Sequence, residues 1–232
     1  MNDAVDKDSM NIRYRTRVKY CGMTRAQDVH DAVALGADAL GFVFYGASPR
    51  HVTAAAAGTL LRAIPPFVST VGLFVNATAE EIAATLEQAP VTLLQFHGDE
   101  TLEQCCAIAA RVGRPFLRAV RVDDAMRGAD LLEYESRYRA ASPWFSGLLL
   151  DAWSAGYGGS GKGFDWSLIP EELAPRVVLS GGLSAQNVAD AVLNVRPYAV
   201  DVSSGIERAK GIKDGVKMRA FMNLVRQADT GA

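Results

Sequence analysis

Two stretches near the C-terminus, Val177-Val178-Leu179-Ser180-Gly181-Gly182-Leu183 and Ala199-Val200-Asp201-Val202-Ser203-Ser204-Gly205-Ile206, decide how the chain is read. Each is a short apolar run that ends in a turn of small residues, with a helix or helical turn expected beyond it. Such a turn frees backbone N–H groups at the start of a helix, where the partial positive charge favours an anion. Two in succession imply one phosphate held between neighbouring loops. That suits the last two βα loops of a (β/α)8 barrel.

The same alternation runs back towards the N-terminus. Strand-like runs at Val18–Cys21, Ala39–Phe44, Val68–Phe74, Thr92–Phe96, Phe116–Val122 and Leu148–Asp151 are each followed by a helical pattern. Those patterns lie at Arg25–Leu35, Ala54–Ala63, after a Thr78/Glu81 capping box, at Leu102–Val112, at Asp124–Arg139 and, briefly, at Asp165–Ile169. Arg176–Ser180 then leads to a helix over Ala185–Asn194 capped by Ser184, and Ala199–Ser203 leads to a helix over Asp214–Gln227.

The count is eight strands and eight helices, and the strands lack strict alternation, as in a parallel sheet covered on both faces. The expectation is an α/β protein, a single-domain (β/α)8 TIM barrel over 17–232, preceded by a polar, poorly ordered leader over 1–16. A doubly wound open sheet is the rival. The lack of a GxGxxG after the first strand and the polar residues at most strand ends favour the closed barrel.

Composition bounds the function classes. A chain of 232 residues, 49% hydrophobic and 22% charged, can bury one full core. A net charge of -2 gives no support for nucleic-acid binding. No apolar stretch is long enough to span a bilayer, and Met1–Thr16 lacks a signal-peptide core, so the expected location is cytoplasmic with no membrane partner. Three cysteines make no disulfide framework, and adjacent Cys105 and Cys106 read as helix packing. His30, His51 and His97 are scattered without ligand spacing, so no metal site is expected.

In a barrel of this kind the active face lies at the C-terminal ends of the strands. Cys21, Tyr45, Asn76, Gln95, His97, Arg121, Asp151, Ser180 and Ser203 fall there. Three readings stay open for Cys21: nucleophile, general base, or a small buried hydrophobe, which is the commonest fate of such a cysteine. Asp151 is harder to explain blandly, because a carboxylate closing Leu148-Leu149-Leu150 is costly if merely buried. Arg50 after Ser48-Pro49 is either a solvated loop residue or a clamp for a substrate carboxylate. Gln95 and His97 share one strand face and can both point into the barrel mouth. Lys19 and Asp201, each two residues before a strand-end polar group, are placed to pair beneath the site.

Taken together, these residues resemble the phosphoribosylanthranilate isomerases of tryptophan biosynthesis. The resemblance is carried by Lys19-Tyr20-Cys21-Gly22-Met23-Thr24, Gly41-Phe42-Val43-Phe44 with Ser48-Pro49-Arg50, Val71-Gly72-Leu73-Phe74-Val75-Asn76 and Gln95-Phe96-His97-Gly98. It continues through Leu149-Leu150-Asp151, Gly158 to Trp166, Ser180-Gly181-Gly182-Leu183 and Asp201 to Glu207, in order from first strand to last.

The resemblance implies an Amadori rearrangement of a phosphoribosyl small molecule, with Cys21 as general base and Asp151 as general acid. It further implies phosphate contacts from Gly181, Gly182, Ser203, Ser204 and Gly205, substrate contacts from Arg50, Gln95 and His97, and no cofactor. The expected assembly is a monomer or homodimer. Two departures stand out: Ala152-Trp153 after the acid, and Tyr20 where a smaller aliphatic is usual. The closest rival is the histidine-pathway sugar isomerase, whose chemistry is usually carried by two aspartates. A non-catalytic sugar-phosphate-binding barrel is the reading from another class.

Overall fold

The computed structural model describes residues 15–123, 125–152 and 163–231, so most of the leader, Asp124, Trp153 and the glycine-rich stretch Gly156–Gly161 lie outside the described residues. Eight parallel strands close into a barrel in sequence order: β1 (Arg17–Cys21), β2 (Ala39–Val43), β3 (Ser69–Phe74), β4 (Leu93–Phe96), β5 (Phe116–Val122), β6 (Phe145–Ala152), β7 (Val178–Leu179) and β8 (Ala199–Val202). Closure is made by β1 on β8, where Lys19 faces Asp201 in register. The barrel is as read from the sequence, and the open sheet is excluded.

Helices α1 (Ala26–Ala34), α2 (Ala54–Leu61), α3 (Ala79–Gln88), α4 (Leu102–Val112), α5 (Gly128–Ala141), α6 (Val188–Val195) and α7 (Gly215–Thr230) cover the outside. Thr78 and Glu81 form the expected capping box at α3. Three helical expectations need correction. The sixth unit has no α-helix among the described residues, only 3-10 turns at Trp166–Leu168 and Ala174–Arg176, because Pro170 and Pro175 break the run. The fifth helix starts at Gly128 rather than Asp124. The helix after β7 starts at Val188, and Ser184 is not its cap; Ser184 instead closes a preceding turn with Asn187.

The strand period sorts side chains into two layers. Outward residues Tyr20, Phe42, Phe74, Phe96 and Phe116 are fully buried between sheet and helices. Tyr20, the unusual residue of β1, packs edge-on against Phe221 of α7 and donates its hydroxyl to the Met218 carbonyl at 2.8 Å. Its size and its polar atom are therefore both accommodated. Inward residues Leu117, Ala119, Leu149, Val178 and Ala199 fill the lower barrel.

Residues 15 and 16 already contact the barrel. Arg15 pairs with Asp38, and Thr16 donates to Asp229 of α7 from its backbone N–H (2.9 Å) and hydroxyl (2.7 Å). These bonds tie residues 15 and 16 to the start of β2 and to α7. No helix of the described residues is long and apolar enough to cross a membrane.

Candidate active site

The site is built on the seam between β1 and β8. Lys19 and Cys21 are two residues apart and both point inward. Lys19 Nζ meets Asp201 Oδ1 at 2.8 Å with both side chains almost wholly buried, as expected from the sequence. Ser180 donates its hydroxyl to the other Asp201 oxygen at 3.3 Å. The Cys21 thiol lies directly over Gly41 of β2, where a methyl group would stand 2.8 Å from Sγ and 3.2 Å from Lys19 Nζ. Burial pushes the thiol up from its ordinary value, and Asp201 adds to the rise. The Lys19 and Lys213 ammonium groups pull against it without cancelling it.

The two small-residue turns sit together, as their sequence order suggested. Gly181 has φ +84°, and a Cβ there would lie 2.4 Å from the Ala152 nitrogen and 3.1 Å from Asp151 Oδ1. A side chain is excluded on both counts. A Cβ on Gly205 would lie 2.0 Å from the Leu183 carbonyl oxygen. The loop after β7 is therefore seated on Asp151, and the loop after β8 is seated on the loop after β7. Gly182, Ser203, Ser204 and Gly205 are half-buried. The N–H groups of Gly182, Ser204 and Gly205 find no acceptor among the described residues. Such N–H groups are what an incoming anion requires. Ser203 also bridges the two ends of the seam, since its hydroxyl donates to the Cys21 carbonyl at 3.0 Å and accepts from Lys213 Nζ at 3.3 Å.

Asp151, at the end of β6, lies deep in the mouth. Its Oδ1 accepts the Ala152 N–H at 3.0 Å, and its Oδ2 is 3.1 Å from His97 Nε2. Gln95 Nε2 in turn is 2.8 Å from His97 Nδ1. The structure thus joins Gln95, His97 and Asp151 in one chain. Arg50, only 9% exposed, is held by Glu207 at 2.8 Å through both Nε and Nη2, leaving Nη1 uncommitted among the described residues.

Several charged residues at the site escaped the sequence reading. After β8 the chain makes a short hairpin, β9 (Glu207–Ala209) with β10 (Ile212–Lys213). It delivers Glu207 to Arg50 and the fully buried Lys213 ammonium to Glu207 (2.9 Å) and to the Ser203 carbonyl (3.1 Å). On the helix side of β5, Glu100 pairs with Arg118 at 2.8 Å, both buried. Glu100 also accepts the N–H groups of Asn76 (2.7 Å) and Gly98 (2.9 Å). A charged residue inside the apolar run Phe116-Leu117-Arg118-Ala119-Val120 was the available signal, since it demands a buried partner. Glu207 and Lys213 offered no comparable signal. Among the described residues, no group of three or more His, Cys, Asp or Glu could hold a metal ion.

The family model of N-(5'-phosphoribosyl)anthranilate (PRA) isomerase matches residues 18–224, from the first strand to the last helix. The chain belongs to this isomerase family. It is 64% identical over 216 residues to N-(5'-phosphoribosyl)anthranilate isomerase of Herminiimonas arsenicoxydans, covering 93% of this chain and 95% of that one. It is 57% identical over 225 residues to the isomerase of Ralstonia nicotianae, again covering 93% and 95%. The crystal structure of phosphoribosyl anthranilate isomerase from Thermotoga maritima superposes with a TM-score of 0.79 at 40% identity, over 91% of this chain and 99% of that one. A second isomerase structure, in complex with reduced 1-(o-carboxyphenylamino)-1-deoxyribulose 5-phosphate, superposes with a TM-score of 0.76 at 38% identity, with the same coverage.

The buried seam and the raised thiol each carry an expected outcome. Lys19→Met strands the Asp201 carboxylate and should cost about 3–5 kcal/mol in urea unfolding, whereas adding Asp201→Leu should restore most of the loss. A double variant no more stable than the single one would show that the pair itself holds the seam. Alkylation of Cys21, followed by peptide mapping to separate it from Cys105 and Cys106, should have its midpoint above the ~8.5 of free cysteine, because only the thiolate reacts. A midpoint below that value would contradict the effect of burial.

Proposed function

We propose that Cys21 is the general base and Asp151 the general acid of an Amadori rearrangement, and that the joined loops after β7 and β8 hold the substrate phosphate. Membership of the family makes the chain an aldose–ketose isomerase of tryptophan biosynthesis, acting on N-(5'-phosphoribosyl)anthranilate. The carrying observation is the contact order around the mouth. Gly181 abuts Asp151, Gly205 abuts the Gly181 loop, and Ser203 bonds to the backbone of Cys21. A phosphate on those loops therefore puts the attached ribose between the carboxylate and the thiol.

The steps are set by the groups present. Asp151 gives a proton to the furanose ring oxygen as the bond from that oxygen to C1' breaks, with the electron pair leaving on the oxygen. The anthranilate nitrogen lone pair forms the C=N bond of a Schiff base. Cys21, as thiolate, removes the proton from C2', and the resulting enolamine tautomerises to the ketone. One proton leaves the acid and one arrives on the base, so the substrate and product are isomers. The imine arises within the substrate itself, so no cofactor is called for.

Lys19 and Lys213 offset the cost of an anion on the buried sulfur. Arg50, oriented by Glu207, offers its uncommitted Nη1 to the anthranilate carboxylate. Ser204, Gly181, Gly182 and Gly205 surround the phosphate with backbone N–H groups.

The fluorescence of the anthranilate-bearing substrate reports turnover directly. Cys21→Ala and Asp151→Ala should each lower kcat by at least about a hundredfold while leaving the fold intact. A Cys21→Ala variant with near-normal kcat would remove the base assignment and leave the family membership standing.

A further inference from the structure

We infer that Gln95 is a positioning residue that keeps His97 in the tautomer protonated on Nε2, and that this tautomer orients Asp151 and stabilises its carboxylate as the acid gives up its proton. The inference rests on the reading of Asp151 as the general acid. Gln95 is completely buried at the end of β4, and its amide Nε2 lies 2.8 Å from His97 Nδ1. An amide NH2 group can only donate, so Nδ1 is the acceptor and carries no proton. The single proton of a neutral imidazole then sits on Nε2, which donates to Asp151 Oδ2 across 3.1 Å. With the Ala152 N–H on Oδ1, the carboxylate left after proton transfer has a donor on each oxygen.

A second observation shows that this arrangement is specific. Gln95 Oε1 is buried and has no hydrogen-bond partner among the described residues. A buried carbonyl oxygen without a donor is disfavoured, and it would gain one if His97 carried its proton on Nδ1 and the amide turned over. That alternative would leave Nε2 bare, so the imidazole would have no N–H to offer the carboxylate once Asp151 has given up its proton. The fold therefore leaves an amide oxygen unpaired and keeps Nδ1 bare, a choice that makes sense if the N–H is needed at Asp151. A third residue here fixes an imidazole tautomer for its catalytic neighbour, as in a hydrolase triad, with an amide in place of a carboxylate.

The test combines a spectroscopic and a kinetic reading on the full-length protein. His30 and His51 are exposed, so the ring nitrogens of His97 are separable by 15N-histidine NMR and assigned with His97→Asn. At neutral pH the wild type should show His97 with Nε2 protonated and Nδ1 bare. Gln95→Glu, whose carboxylate can only accept, should move the proton to Nδ1 and lower kcat at least about tenfold. KM should stay within about threefold, because a positioning role acts on the chemical step rather than on binding.

Gln95→Met, which removes the amide without adding charge, should leave His97 in mixed tautomers and lower kcat in the same direction. Wild-type His97 protonated on Nδ1, or variants with normal kcat, would overturn the inference. A loss of activity expressed wholly in KM would overturn it too, by making Gln95 a binding residue. An Asp151→Ala variant with full activity would instead remove the acid assignment, whatever tautomer the NMR shows.

Discussion

The buried pair of Lys19 and Asp201 is the constraint that specifies how the barrel closes and where the site sits. It sits where the barrel closes, on the first and last strands, and it places two opposite charges in register inside an otherwise apolar interior. A charge in that position is tolerable only with a partner at hydrogen-bonding distance, so a slip of one residue at the closing seam would bury both charges alone. The pair thus fixes register. It also lies one strand step below Cys21 and Ser203, so the same registry fixes the thiol and the loop after β8 relative to each other.

Above that seam the mouth is organised as interlocking charged clusters rather than as free-standing residues. Arg50, Glu207 and Lys213 form one, and they tie the strand-one end to the hairpin after β8. Arg118 and Glu100 form another on the helix side of β5, where Glu100 holds the Asn76 and Gly98 turns. Gln95, His97 and Asp151 form a neutral-to-acidic chain between them. Each satisfies groups that would otherwise be buried unpaired, and two of them leave a specific group facing the cavity: Arg50 Nη1 and the Asp151 carboxyl. Rigidity of this kind is what positions an acid and a base to a fraction of an ångström.

Strand period and turn chemistry made much of this legible in the sequence. Alternation on β1 and β8 put Lys19 opposite Asp201 and brought Cys21 to the mouth, and the Thr78/Glu81 spacing marked a helix start. The two Ser-Gly turns read as neighbours and proved to be in contact. The illegible part depends on contacts far apart in the chain. Glu207 and Lys213 sit in a stretch that reads as a polar loop, and only the hairpin folds them back onto Arg50, 157 residues away along the chain. Gln95 and His97 could be seen to share a face, but not that His97 reaches Asp151 across β5 rather than facing the substrate alone. The sixth helix fails for a local reason, because Pro170 and Pro175 interrupt a run whose apolar spacing alone looks helical.

The proposed roles require the phosphate on the two turns and the sugar between thiol and carboxylate. A crystal structure of this protein with the reduced carboxyphenylamino-deoxyribulose phosphate tests this placement most directly. Phosphate oxygens are expected on the N–H groups of Gly182, Ser204 and Gly205, with Cys21 Sγ roughly 3–3.5 Å from C2'. The Asp151 carboxyl is expected at hydrogen-bonding distance from the oxygen that closes the furanose ring. A phosphate bound away from these turns, or a C2' atom beyond contact with Sγ, would contradict it.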